Sequence, residues 1–242
     1  MEIIIKKNYE KISKKAANLV KEQINKNPRT VLGLPTGSTP FKMYQELIKM
    51  YQKGEIDFSK VITFNLDEYY GLPPDHPQSY HKYMWKNFFK DINIKKENIN
   101  ILDGMTDDVK KECQEYEEKI NKVGGIDLQI LGIGPNGHIG FNEPGESLKR
   151  ETHLVNLTEE TRKANSRFFE SIEAVPKKAL TMGISTILKS ERIILIAAGE
   201  QKASVIKETI YGEINTQTPA TLLQTHPDVI LIVDKKGAKY IT

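Results

Sequence analysis

Residues 132–144, GIGPNGHIGFNEP, bring together groups able to move protons beside a closely held ligand. Gly132, Gly134 and Gly137 let backbone approach that ligand, and His138 exchanges a proton near neutrality, its reference pKa being ~6.5. Glu143 can orient the imidazole and stabilise the imidazolium. A dinucleotide reading of G-x-G-x-x-G fails, because IGFNEPG does not start a long helix. Taken alone, the segment is equally compatible with a buried structural histidine. In FNLDEYYGL, Asp67 and Glu68 follow a strand that ends near Asn65. One of them serves as a general base if burial raises its proton affinity, and otherwise they are ordinary loop acids.

LGLPTGSTP, residues 32–40, runs from a strand through a Gly and hydroxyl loop to Pro40, which suits a first helical position. Backbone N–H groups of Gly37 and its neighbours, with the hydroxyls of Thr36, Ser38 and Thr39, can cradle a phosphate at the positive end of a helix. The alternative is a plain turn capped by Thr39, and the lysine of a Walker loop is missing. Lys202 in AAGEQKA can reach a phosphate as a point charge. Arg162 and Arg167 lie in a helical segment, TRKANSRFF, about 140° apart at ~100° per residue. One phosphate therefore engages only one of them, and Arg167 is the candidate. His76 and His81, split by Pro77, fit no metal pattern.

These groups need elements to position them. Short β-branched runs at 2–5, 30–34, 61–65, 127–131, 192–197 and 228–233 read as strands. Amphipathic helices alternate with them, the first carrying Ile12, Ala16, Val20 and Ile24 on one stripe. VLGL, IILIAA and VILIV are apolar throughout, as parallel strands covered on both faces are. The expected fold is α/β and three-layered, with a mostly parallel central sheet, in a single domain spanning 1–242. Thr36, Asp67, His138 and Lys202 each follow a different strand, so a parallel sheet delivers them to one edge. GLPPDHPQ, residues 71–78, interrupts the alternation and is a candidate flap over that edge.

Composition excludes other classes. Lysine and arginine number 35 against 32 acids, and this slight excess forms no basic block that would indicate nucleic acid. No apolar run approaches the roughly 18 residues of a membrane span, and MEIIIKKNY lacks the pattern of a signal peptide. Cys113, the one cysteine, recurs with Val109, Tyr116 and Ile120 at helical spacing, which points to a buried helix face. A cytoplasmic protein is expected.

With LGLPTGSTP, FNLDEYYGL, GIGPNGHIGFNEP, TRKANSRFF, VPKKALTMGISTIL and GEQKA in this order, the chain resembles the glucosamine-6-phosphate deaminase family, also called glucosamine-6-phosphate isomerase, over nearly its whole length. The resemblance implies a Rossmann-like sandwich acting on glucosamine 6-phosphate with no cofactor and no metal. It assigns the sugar phosphate to Thr36, Gly37, Ser38, Thr39, Arg167 and Lys202. His138, assisted by Glu143, would open the pyranose ring, and Asp67 would shuttle the proton from C2 to C1. Ketimine hydrolysis then releases ammonia and fructose 6-phosphate.

Two departures stand out. Asn136 replaces an aspartate that many members carry beside the histidine, so Glu143 is left to stabilise the imidazolium. The chain ends eight residues beyond Asp234, short of the tail of allosteric hexameric members, and Glu146 and Val155 differ from their polar effector positions. A non-allosteric monomer or small homo-oligomer is expected.

Two other readings compete. A 6-phosphogluconolactonase is disfavoured by IGFNEP after Gly-His and by Tyr69 after Asp67-Glu68. A sugar-phosphate-sensing domain of a transcription regulator is disfavoured because the roughly 30 residues before the phosphate loop's strand read as strand and helix, leaving no room for a helix-turn-helix.

Overall fold

The computed structural model describes residues 1–241. Seven strands form a parallel sheet: β1 (Glu2–Lys6), β2 (Val31–Leu34), β3 (Ile62–Asn65), β5 (Ile99–Asn100), β6 (Leu128–Leu131), β9 (Arg192–Ala197) and β10 (Val229–Asp234). Their order is β1-β10-β9-β6-β2-β3-β5. The helices between them are α1 (Tyr9–Lys26), α2 (Ser38–Gln52), α3 (Tyr80–Asn87), α4 (Val109–Lys122), α5 (Glu159–Asn165), α6 (Ile184–Leu188) and α7 (Ala203–Tyr211). The expected α/β sandwich is the observed one, and the six expected strands agree with β1, β2, β3, β6, β9 and β10 to within a residue or so.

Period-two alternation within the strands builds two cores. Ile230 and Ile232 of β10 pack with Ile12, Ala16 and Val20 of α1 and with Met43 and Leu47 of α2. Leu231 and Val233 face the other way, towards Cys113, Tyr116 and Ile120 of α4 and Ile206 of α7. The interior strands β2, β9 and β10 are thus covered on both faces, which is why VLGL, IILIA and VILIV are apolar without a polar phase. Cys113 lies buried on its helix face as its spacing predicts.

A second, antiparallel sheet was not foreseen. It comprises β4 (Asp67–Tyr69), β8 (Lys178–Thr181) and β7 (His153–Asn156), in the order β4-β8-β7. Asp67 and Glu68 are therefore strand residues and not loop acids, with Asp67 opposite Thr181 and Glu68 opposite Leu180. A strand of three residues has too few positions to display a period, and only one residue separates it from β3.

Sequential strands run outward in both directions from the centre of the parallel sheet. β2 leads to β3 and β5 on one side, and β6 leads to β9 and β10 on the other. The loops leaving the C-terminal ends of β2 and β6 therefore diverge around a crevice, the position where open α/β sheets hold ligands. No helix is long and apolar enough to cross a membrane among the described residues.

Candidate active site

The loop after β2 supplies one wall. Gly37 adopts φ 97° immediately before α2, and the helix begins at Ser38 with no side-chain cap. Neither the cap by Thr39 nor a first helical position for Pro40 is realised: Pro40 is third in the helix, where its missing N–H has no intrahelical partner to lose. Three phenols hold the loop's carbonyls. Tyr44 donates to Pro35 O at 2.6 Å, Tyr83 to Gly37 O at 2.6 Å and Tyr9 to Ser38 O at 2.5 Å. With the carbonyls so engaged, the N–H end of α2 and the hydroxyls of Thr36, Ser38 and Thr39 remain for an anion.

Both chosen cations line the same cavity. α5 gives way to a 3₁₀ turn, Ser166–Phe168, which brings Arg167 to donate to Ser38 Oγ at 3.2 Å while its guanidinium lies 4.7 Å over the Phe168 ring. Arg162 turns elsewhere, donating to Ile172 O and Val175 O, in keeping with the angular separation read from the sequence. Lys202 ends the 3₁₀ turn Glu200–Lys202 and donates to Ile133 O. Burial, and then the nearby Arg167 charge, push Lys202 down to about 8. A bound anion would offset both effects.

The side chains of β4 alternate. Asp67 lines the cavity, whereas Glu68 turns away and accepts from Tyr80 N, His81 N and its own strand's Tyr69 N, each within 2.9 Å. Asp67 is 7% exposed, and its carboxylate accepts no hydrogen bond among the described residues. Burial, and then the neighbouring Glu68 carboxylate, push Asp67 up to about 8, which makes it a strong proton acceptor once ionised.

The loop after β6 carries His138. Gly134 N–H donates to His138 O at 2.9 Å, and the ring lies where a Gly134 Cβ would stand, 2.2 Å from Cε1. Only glycine admits this packing. His138 Nδ1 lies 2.7 Å from Asn136 Oδ1, nearer than the 3.4 Å to Glu143 Oε2. Asn136 Nδ2 donates to Glu143 Oε2 at 3.0 Å, and Thr161 donates to Glu143 Oε1 at 2.5 Å. Burial opposes the charge of Glu143, but its contacts with His138, Thr161 and Asn136 hold it below the usual carboxylate range. Glu143 thus acts on the ring partly through Asn136, a relay that the sequence does not reveal.

A cavity of about 520 Å³ joins these walls, bounded by Thr36, Gly37, Ser38, Thr39, Asp67, His138, Arg167 and Lys202. Asn136 and Glu143 are not on its surface and stand behind His138. Tyr80, Phe141, Thr161, Asn165, Phe168 and Gln201 also line it and were missed. Thr161, Asn165 and Phe168 lie within the TRKANSRFF segment, so a polar and aromatic pattern around Arg167 was the available signal. None of residues 71–78 lines the cavity. No cluster of three His, Cys, Asp or Glu suited to a metal occurs among the described residues.

A parallel sheet with its crevice at the switch point, bordered by a helix N-terminus and two cations, defines a Rossmann-like α/β protein with a cavity suited to an anion. Residues 6–231 match the family described as glucosamine-6-phosphate isomerases/6-phosphogluconolactonase, and the chain belongs to that family. It is 62% identical over 241 residues to the glucosamine-6-phosphate deaminase of Thermoanaerobacter pseudethanolicus, covering 100% of this chain and 95% of the relative. The enzyme of that name from Halothermothrix orenii is also 62% identical, with 100% of both chains covered. A solved structure described as a monomeric glucosamine-6-phosphate deaminase superposes with a TM-score of 0.96 at 46% identity, covering 99% of each chain. The 6-phosphogluconolactonase of Thermotoga maritima, at 20% identity and a TM-score of 0.76 over 97% of this chain and 99% of that one, shares the fold.

Proposed function

We propose that the protein converts glucosamine 6-phosphate and water into fructose 6-phosphate and ammonia. The observation that carries this reading is the meeting of Asp67, His138 and the anion-binding end formed by Ser38, Arg167 and Lys202 around one cavity. The relatives named for this activity support it at 62% identity.

The phosphate is held by the N–H groups and hydroxyls of residues 36–39, with Arg167 and Lys202 balancing its charge. His138 moves a proton from the anomeric hydroxyl to the ring oxygen, the C1–O5 bond breaks and the aldehyde is exposed. Asn136 and Glu143 fix the ring and stabilise the imidazolium. The aldehyde acidifies the C2 proton, which ionised Asp67 removes; the C2–H pair forms the C1–C2 double bond as the C1–O π pair moves onto O1, which takes a proton from water to give the enolamine. Asp67 returns the proton to C1, giving the ketimine. Water adds at C2 and the C2–N bond breaks, releasing ammonia and leaving the ketone.

A monomer or small homo-oligomer is the assembly we assign, with the neighbour described as monomeric in support. We place the protein in the cytoplasm, since a phosphorylated sugar is too highly charged to cross a bilayer unaided. Purified protein incubated with glucosamine 6-phosphate should form ammonium and fructose 6-phosphate in equal amounts. Binding without either product would replace the enzyme by a sensor, and turnover of 6-phosphogluconolactone without ammonia would replace it by a lactonase.

A further inference from the structure

Glu68 is 1% exposed, beside another buried acid, and lines no part of the cavity. Its two oxygens collect four N–H contacts: Tyr69 N at 2.8 Å and Tyr80 N at 2.9 Å on Oε1, His81 N at 2.9 Å and His81 Nδ1 at 2.9 Å on Oε2. A carboxylate is only an acceptor, so the His81 nitrogen facing it carries a proton. Gly104 closes the pocket: a Cβ there would stand 3.2 Å from Glu68 Cγ and 2.2 Å from Tyr69 O.

Capping α3 does not require this charge. Ser79 is already the N-cap of α3 and accepts from Lys82 N at 3.1 Å, and a neutral side chain could receive the remaining amides. Two adjacent buried carboxylates are an expensive arrangement for a cap alone. What the charge does besides is act on Asp67, one residue away on the other face of β4, with its negative sign.

We propose that Glu68 is a positioning residue for proton transfer by Asp67, acting from the closed face of β4 through its charge and through its hold on α3. α3 extends the effect of that hold, since Tyr80 from its first turn lines the cavity and Tyr83 bonds Gly37 of the anion loop. His81 in turn moderates the charge of Glu68. The other titratable groups around Asp67 are the phenols of Tyr44, Tyr69, Tyr80 and Tyr116, which burial keeps neutral. His138, Arg167 and Lys202 share the cavity.

The inference rests on the reading of Asp67 as the proton-transferring group, so Asp67→Asn is assayed alongside. The measurement is exchange of the C2 hydrogen of glucosamine 6-phosphate with deuterated solvent against pH, at saturating substrate so that phosphate binding does not enter. Glu68→Gln removes the charge at nearly constant volume and should move the rise of the exchange rate to lower pH by about one unit. His81→Phe, at a partly exposed site, leaves three backbone donors on an unmoderated carboxylate and should move it to higher pH. If Glu68→Gln does not fold, His81→Phe decides: an upward shift supports the proposal, and an unmoved or downward one overturns it. An unmoved profile in folded Glu68→Gln likewise reduces Glu68 to a cap. If Asp67→Asn still exchanges C2 at the parental rate, the reading of Asp67 itself fails.

Discussion

Asn136 Oδ1 lies 2.7 Å from His138 Nδ1, so the inner nitrogen of the imidazole meets a neutral acceptor. The amide's other end donates to Glu143. Asn136→Asp would place a charge beside the ring, favouring the imidazolium, while removing the donor to Glu143 and setting two carboxylates together. In that variant His138 should keep its proton to higher pH, followed by imidazole resonances in an NMR titration and by the pH-rate profile. Superimposable curves would reject the coupling.

Asp67 holds its proton to about pH 8 in the folded chain and to ~3.9 when unfolded. Below the unfolded value the carboxyl is neutral in both states and its burial is harmless. Between the two values the unfolded chain gives up the proton that the folded chain keeps, so stability is lost as pH rises from about 4 to 8 and the loss is complete above 8. Asp67→Asn should thus raise Tm at pH 9 and leave it nearly unchanged at pH 4. The gain at pH 9 should be on the order of a few kcal/mol, each tenfold change in proton affinity corresponding to about 1.4 kcal/mol. Equal Tm at both pH values would show that Asp67 is not held protonated. C2 exchange should be abolished in the same variant, with binding of inorganic phosphate retained.

Lys202 loses its proton at about 8 in the ligand-free chain, so its charge is available to phosphate below that pH and fades above it. Inorganic phosphate should bind roughly fivefold more weakly at pH 9 than at pH 8. Lys202→Met should bind more weakly at pH 7 and, with Asp67→Asn present in both proteins so that the ionisation of Asp67 at about 8 does not enter, should lose this dependence. Calorimetry at several pH values tests both, and a steep dependence persisting in the variant would remove Lys202 from the anion site.

Gly134→Ala should displace the His138 ring, which occupies the space of the new methyl. A shift of about 1 Å in a proton-transfer group can lower kcat roughly a hundredfold. Phosphate affinity should change far less than kcat, because Ser38 and Arg167 stand on the other wall. Parental kcat would mean that the ring's position is immaterial.

Tyr83→Phe removes the donor to Gly37 O. A net hydrogen bond of about 1 kcal/mol corresponds to an approximately fivefold weaker phosphate affinity if the phenol holds the loop in its binding form. An unchanged affinity would show that the loop is rigid without it.

The sequence was most legible where structure is local. Apolar stripes in α1 and α4 and uninterrupted apolar runs in the parallel strands follow from helix and strand geometry, so periodicity exposed them. Helical angle alone separated Arg162 from Arg167 as partners of one anion, although the helix breaks into a 3₁₀ turn between them, and it did not say which of the two reaches the cavity. Pro40 misled because proline is tolerated throughout the first helical turn, and composition does not distinguish its positions.

By itself the sequence determined the three-layer α/β order and the segments that reach the sheet edge, since chain direction in a parallel sheet puts every strand end on the same side. Only the tertiary structure decided which of the adjacent acids faces the cavity and how readily Asp67 ionises. Those properties depend on the pairing of β4 with β8 and on the burial contributed by remote segments. The same holds for His138, whose inner nitrogen meets Asn136 before Glu143 because the loop folds back behind the ring. A proton affinity is set by all the charges and solvent within a few ångströms, and chain neighbours supply only part of them.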